Sequence, residues 1–415
     1  MPTPPTLLAR TLVGSPLRRP FAGCVFWLAL LLLLGLALLG HVGLWLSEPV
    51  GAVFVFAGTA LVAALAAVPA LGLLWLLDRR EPESIWLFGG TLLWGAVVST
   101  GLAGIVNSLG AAWLFDRVHL LEGIDDPELV TRVLAAALVA PPVEEATKGL
   151  ALLVLFWFLR AEFDNLRDGL IYGALAGLGF NIAETALYVM KGYLDDGVAP
   201  LGVQLAVRFV FLGLNGHLVF SALCGAGLGI ARQTPRRWLR LVAPLTGYAL
   251  AVLAHALANS LGVIVFALAL AAAGRDLAGD LATLPVGDVW RAAALSDLFV
   301  EGWAYLALAI LLGLSARWER AVIRRYLADE VGAAVTPAEY AAIARSLPIF
   351  GTHAAVRRGD RLGRRIFTAQ TELAFRKWHL HRDGGDPATD PLVAAWRQDI
   401  AALRQAAGPD APARP

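Results

Sequence analysis

Charge is scarce in this sequence. Asp, Glu, Lys and Arg make up 16% of the 415 residues, against about a quarter in an ordinary soluble domain. Hydrophobic residues fill 58% of the chain and the mean hydropathy is +0.66, which excludes both a water-soluble globule and a disordered chain. The signs nearly cancel, with 34 basic against 33 acidic residues, so the positive field of a nucleic-acid binder is missing. Cysteine is almost absent: Cys24 and Cys224 both lie in apolar runs and provide neither a disulfide framework nor a thiolate metal site. Lysine occurs only at Lys148, Lys191 and Lys377, which makes each position informative. No internal repeat is visible, and there is no HExxH-type metalloprotease signature.

What the chain has instead is apolar length. A spanning helix needs about 20 mostly apolar residues. Eight stretches qualify, near 21–46, 50–77, 85–115, 134–158, 168–190, 203–231, 241–273 and 290–315. The first comes after Arg10, Arg18 and Arg19, as a signal peptide would. It outruns the roughly 7–15 apolar residues of such a segment and lacks a convincing cleavage site, so it reads as a retained span. Arginines cluster in alternate connections, at Arg79/Arg80, Arg160/Arg167, Arg232–Arg240 and Arg317–Arg325, whereas Glu122–Asp126 and Asp195/Asp196 lie in the intervening ones. The positive-inside rule then puts both termini in the cytoplasm. The expected fold is all-α: a polytopic transmembrane bundle of about eight spans with a small helical cytoplasmic C-terminal region.

Composition divides the chain into three regions: a cytoplasmic segment 1–20, a transmembrane bundle 21–315 with its motif core at 134–272, and a basic helical tail 316–415. The tail holds 16 basic and 11 acidic residues. Thr336, Pro337 and Glu339 predict a capped helix start, and a second helix is expected near 362–381, ahead of a loose Pro/Ala-rich end. Its plainest reading is a soluble region beside anionic lipid.

Polar residues inside apolar spans are costly, about 2.5–3.5 kcal/mol for a charge at mid-bilayer, and so become candidates for function. Glu144, Glu145 and Lys148 lie in the fourth stretch, Asn181 and Glu184 in the fifth, His217 in the sixth, and His255 and Asn259 in the seventh. Counted from the cytoplasmic ends, Glu144, His217 and His255 fall at depths of about 21 Å and Glu184 at about 24 Å. Gly169, Gly173, Gly177, Phe180 and Glu184 share an arc of about 80°, a small-residue stripe suited to close helix packing. His217 shares a face with Gly213, Ser221, Cys224 and Gly225, and His255 and Asn259 share one with Tyr248. One polar chamber within the membrane is therefore expected.

In that chamber, Glu144 and Lys148 have the i,i+4 order of an ion pair, which leaves Glu145 without a partner on its helix and suited to acid–base work. Pro141 and Pro142 are expected to distort the helix just before the pair. His255 and Asn259 can donate to an oxyanion, and Glu184 and His217 can orient water or help bind a metal. Singly, each residue also has a structural reading: a neutral ion pair, or hydrogen bonds between helices. Their shared depth favours chemistry.

These residues resemble a known family. Glu144-Glu145-Ala-Thr-Lys148, Gly179-Phe180-Asn181-Ile-Ala-Glu184, His217 and His255-Ala-Leu-Ala-Asn259, in this order over about residues 85–272, resemble the PrsW family of intramembrane proteases, which is similar to the CAAX-prenyl protease and ABI group. The resemblance implies Glu144 and Glu145 as the catalytic glutamates and His255 and Asn259 as oxyanion-stabilising residues. Lys148, Phe180, Glu184 and His217 are implied as supporting residues, with Glu184 standing where CAAX proteases usually carry His. Both a metal-free glutamate mechanism and a zinc-dependent one stay open, the former preferred; zinc ligands would come from Glu145, Glu184, His217 and His255. Two features depart from the compact family pattern: the C-terminal hundred residues, and the acidic pair Asp297/Glu301, of which Glu301 is read as chamber wall.

The expected function is intramembrane endoproteolysis of membrane-anchored substrates in a bacterial cell membrane, with Glu145 or Glu144 activating water. By resemblance, an anti-sigma factor or another membrane regulator is a candidate substrate. The rivals are an inactive membrane scaffold and a proton- or cation-coupled transporter, the latter predicting a repeat symmetry that the sequence lacks.

Overall fold

Apolar composition becomes helix along nearly the whole chain in the computed structural model, which describes residues 15–80, 83–121, 123–275, 284–345 and 361–407. Most of the expected segment 1–20, Glu122 and the Pro/Ala-rich end from 408 lie outside the described residues. The elements are α1 (Pro20–Ser47), α2 (Val50–Ala66), α3 (Val68–Leu77), α4 (Ile85–Leu93), α5 (Thr100–Val118), α6 (Pro127–Leu134), α7 (Ala140–Phe158) and α8 (Leu166–Asp196). They continue as α9 (Leu201–Phe209), α10 (His217–Gln233), α11 (Leu239–Leu257), α12 (Val263–Ala272), α13 (Val286–Leu327), α14 (Pro337–Arg345), α15 (Arg361–Asp383) and α16 (Pro391–Ala407). No strand occurs among the described residues, only an isolated bridge between Val331 and Val335.

The fold is the expected all-α bundle, but by length and composition fewer helices suffice to cross a membrane than the eight stretches suggest. Among the described residues five qualify: Gly23–Val42, Ile85–Val118, Leu166–Asp196, Leu239–Ala272 and Val286–Glu330. Val50–Ala66 and Val68–Leu77, bent by 42°, make a sixth if counted together. The fourth expected span carries three charges in α7. The sixth is broken between α9 and α10, where Leu212, Gly213 and Gly216 take positive φ values of 58°, 80° and 60°. His217 is therefore the first residue of a helix, not the middle of one.

Helix α8 is the axis of the bundle, with 83% of its apolar window buried. Asn165 starts it with a capping box, accepting from the Arg167 and Asp168 amides while Asp168 accepts from the Asn165 amide, and Gly197 ends it at φ 70°. The small-residue stripe packs backbone to backbone on α10. A Cβ at Gly173 or Gly177 would lie 2.2 Å from the Ser221 carbonyl oxygen or 2.0 Å from that of His217. On its other side, a Cβ at Gly179 would lie 1.9 Å from the Leu92 oxygen. Such approaches admit only glycine and fix the register of α4, α8 and α10.

Three π-helical turns interrupt the long helices, at Trp94–Ser99, Ala135–Val139 and Ala258–Gly262. Each adds a residue to a turn and rotates the helix beyond it. The second precedes Pro141 and Pro142, which sit in the first turn of α7, where a missing N–H costs little. The composition change at 315 falls inside the continuous 42-residue helix α13. Its far end packs with α15 and α16 around Leu327, Val335, Leu373, Phe375, Val393 and Ile400. Thr336 and Glu339 form the predicted reciprocal cap of α14, with amide-to-side-chain distances of 2.7 and 3.1 Å.

Candidate active site

Helices α7, α8, α10 and α11 bring Glu144, Glu145, Lys148, Phe180, Glu184, His217 and His255 into one cluster, buried except for the partly exposed Glu184. The pairing of α7 differs from the i,i+4 expectation. Lys148 Nζ donates to Glu145 Oε1 at 2.5 Å, an i,i+3 contact, and to His217 Nδ1 at 2.8 Å, and lies 4.5 Å from the centre of the Phe180 ring. Glu145, expected to lack a partner, is thus the saturated glutamate: Oε1 also meets His255 Nδ1 at 3.1 Å, and Oε2 accepts from Ser221 Oγ at 2.9 Å. The reason is tertiary. α10 and α11 approach the Glu145 side of α7, so the lysine follows the carboxylate that those helices bury.

Glu144 faces the other way. Its Oε1 accepts from Asn107 Nδ2 at 3.0 Å, while its Oε2 is buried without a hydrogen-bond partner among the described residues. His255 Nε2 lies 3.7 Å and His217 Nδ1 3.9 Å from that oxygen. The proton positions follow from the network. Because Lys148 donates to His217 Nδ1, His217 donates from Nε2 to Glu184 Oε2, at 2.7 Å. Because His255 donates from Nδ1 to Glu145, its Nε2 is an acceptor turned towards Glu144. Two acceptors thus face each other 3.7 Å apart, with no donor between them among the described residues.

Glu144, Glu184, His217 and Asn259 line a cavity of about 340 Å³ between α7, α8, α10, α12 and α13, together with Asp297 and Glu301. Glu145 does not line it, and its side chain is fully buried. Asn259 sits in a π-turn and donates to the Ala136 carbonyl at 2.9 Å; with the His255 Nδ1 proton given to Glu145, neither expected oxyanion donor is free in this arrangement. Tyr248 donates to the Pro142 carbonyl at 2.8 Å and anchors the start of α7.

Sequence reasoning missed Asn107 and Arg208. Arg208 pairs with Glu184 at 3.2 Å, bonds Gln204 and packs its guanidinium on Tyr188. Its signal was available, since an arginine inside an apolar stretch carries the same cost that singled out the glutamates. Asn107, a neutral residue 37 positions from Glu144, gave no comparable signal.

For a metal, Glu144, His217 and His255 offer ligand atoms within 4.8 Å of one another. Tetrahedral zinc ligands stand about 3.4 Å apart, so the set suits a cation in number and approximate spacing, and the Glu144 oxygen has no protein donor to give up among the described residues. Loading it requires Lys148 to release His217 Nδ1. The set differs from the expected one, because Glu145 is saturated by protein donors and Glu184 is held by Arg208 and His217.

Comparisons with known proteins fall on this same part of the chain. Residues 83–279 match the model of a family described as PrsW family intramembrane metalloprotease. Protease PrsW of Geobacillus kaustophilus is 34% identical over 110 residues, covering 24% of this chain and 45% of the relative. Protease PrsW of Halalkalibacterium halodurans is 28% identical over 93 residues, covering 22% of this chain and 39% of the relative. The chain thus spans less than half the length of either relative. No solved structure matches. The resemblance to the PrsW family expected from the sequence is borne out over this segment, and with it a multi-pass membrane protein.

Proposed function

We propose that this protein is an intramembrane endopeptidase that cleaves membrane-anchored protein substrates with water activated by Glu144. One observation carries the reading: Glu144, on the wall of a cavity inside an apolar bundle, has a buried carboxylate oxygen with no hydrogen-bond partner among the described residues, 3.7 Å from the His255 imidazole. A water between them has both its protons accepted, which leaves its lone pairs directed at a carbonyl in the cavity. Glu144 takes one proton as the oxygen bonds to the scissile carbon, and that proton passes, directly or through His255 Nε2, to the amide nitrogen as the C–N bond breaks and the amine leaves. Glu145 positions His255 and holds Lys148, which with Phe180 fixes His217 against Glu184.

A multi-pass arrangement with both termini in the cytoplasm, a bacterial cell membrane as location, and a membrane regulator such as an anti-sigma factor as substrate belong to this proposal. The family description and the Glu144/His217/His255 spacing favour zinc as a second reading. Bound there, zinc would acidify water and polarise the scissile carbonyl.

The test is cleavage of labelled single-span membrane proteins by the purified full-length protein in nanodiscs, with metal content measured on the same samples. Glu144→Gln should lower the rate at least 100-fold with unchanged thermal unfolding. Undiminished cleavage by that variant would overturn the proposal. Stoichiometric zinc, lost to a chelator together with activity, would replace the metal-free version by the zinc one.

A further inference from the structure

Two buried carboxylates on the cavity wall take no part in the chemistry proposed above. Asp297 and Glu301 stand i,i+4 on α13, 9% and 3% exposed, and line the same cavity as Glu144 and His217. Only neutral donors reach them: Asn215 Nδ2 to Asp297 at 2.8 Å, and the Gly216 amide and the Tyr305 hydroxyl to Glu301 at 3.2 and 3.3 Å. Glu145 has Lys148 and Glu184 has Arg208, whereas neither Asp297 nor Glu301 has a cationic partner among the described residues. Two permanent cations, Lys148 and Arg208, therefore serve five carboxylates around the cavity. In an apolar bundle such an excess is expensive until a positive charge enters.

A second observation points the same way. Among the described residues nothing donates to Asn181 Oδ1 or Asn215 Oδ1, and both side chains are fully buried. Asn181 lines the cavity, and its Oδ1 lies 3.6 Å from where a Cβ at Gly216 would stand, beside the amide that holds Glu301. This end of the cavity is rich in acceptors and short of donors.

We propose that it is a subsite for one basic side chain, lysine or arginine, of a transmembrane substrate. The inference rests on the proteolytic reading and names the feature of the substrate that this site selects. A side chain suits the site better than a free ion. A hard cation needs several oxygens converging on one point, and Asp297 and Glu301 join no three-residue metal-binding group among the described residues. A guanidinium or ammonium brings its own donors to dispersed acceptors. Val263, Phe266, Ala293 and Val300 provide an apolar wall for its aliphatic stem. A membrane segment carrying a central basic residue is poorly accommodated by lipid, so the subsite would distinguish it from ordinary spans.

The test measures binding of transmembrane peptides to full-length protein carrying Glu144→Gln, in nanodiscs. Four Leu/Ala-rich peptides of about 23 residues, identical except for a central Arg, Lys, norleucine or Glu, are compared by fluorescence anisotropy. The Arg and Lys peptides should bind at least tenfold more tightly than the norleucine peptide. Adding Asp297→Asn and Glu301→Gln should shrink that preference to within twofold while leaving norleucine-peptide affinity unchanged, which shows that the fold is intact. Equal affinities for all four peptides, including no measurable binding, would overturn the proposal, as would a preference that survives both replacements. A preference abolished by millimolar calcium would assign the patch to a free cation and also overturn it. Selective binding without cleavage by the wild-type protein would retire the proteolytic reading and leave the subsite standing.

Discussion

Glu144 and Glu145 are adjacent in sequence yet have opposite surroundings, and that difference separates the role proposed for Glu144 from the structural pairing of Glu145. Replacing Glu145 strands the Lys148 ammonium in the bundle, since Glu145 is its carboxylate partner. Breaking such a buried pair typically costs about 3–5 kcal/mol. Glu145→Gln should therefore lower the thermal unfolding midpoint in detergent by many degrees, and the double variant Glu145→Gln/Lys148→Met should recover most of the loss by removing both charges. If Glu145→Gln unfolds at the wild-type temperature, the assignment of Glu145 as the structural partner is wrong. Glu144→Gln removes no ion pair with a permanent cation and should be nearly neutral for stability. The presence of both glutamates was legible in the sequence. Which of them faces the cavity was not, because an i,i+3 and an i,i+4 contact to Lys148 are equally available on an isolated helix.

At the scale of elements, the α8–α10 seam sets the distance between Glu184 and His217. The stripe was readable from Gly169, Gly173 and Gly177, since spacing alone puts them on one face. Gly177→Ala would press a methyl group onto the His217 carbonyl, 2.0 Å from the ideal Cβ. Overpacking of this kind costs about 1–3 kcal/mol. It should lower the unfolding midpoint and also reduce cleavage, because the residue displaced is His217 itself. Gly58→Ala in α2, with nothing within 4 Å of its Cβ, should be neutral or stabilising under the same measurement. The break between α9 and α10 was not legible. Its residues Phe211-Leu212-Gly213-Leu214 are as apolar as any span, and only the positive φ values reveal that the chain turns there. That turn exposes the Gly216 amide to Glu301, a contact that an unbroken helix would have used up internally.

Across the whole molecule, the helical C-terminal region is fastened to the bundle at the start of α8. His379 pairs with Asp164 at 2.8 Å, Arg167 with Glu319 at 2.6 Å, and Arg382 donates to the Arg232 carbonyl at 3.2 Å. Burial pushes the Asp164 carboxyl up, but His379, Asn165 and Arg382 together hold it below its ordinary value. A carboxyl depressed in the folded state stabilises above its unfolded value near 3.8 and loses that contribution as pH falls through the folded value. Docking should therefore persist at pH 5 and weaken below about pH 4. Hydrogen exchange in residues 159–165 and 376–383 should rise there. Asp164→Asn, which removes a charged hydrogen-bonding partner worth about 1.5–3 kcal/mol, should produce the same opening at pH 7. Unchanged exchange in that variant would show that this contact does not hold the region in place.

Sequence alone determined what depends on composition and period: an apolar all-α bundle, a small number of costly polar residues inside it, a glycine face on α8 and a capped start for α14. These properties are local, because the cost of charge in lipid, the 3.6-residue turn and cap chemistry need no knowledge of neighbours. Tertiary structure decided the rest. It chose Glu145 over Glu144 as the partner of Lys148, recruited Asn107 and Arg208 from distant helices, and left one oxygen of Glu144 facing His255 at 3.7 Å. Those outcomes follow from how helices far apart in sequence pack against one another, and no spacing along a single helix encodes which side of it the next one will cover.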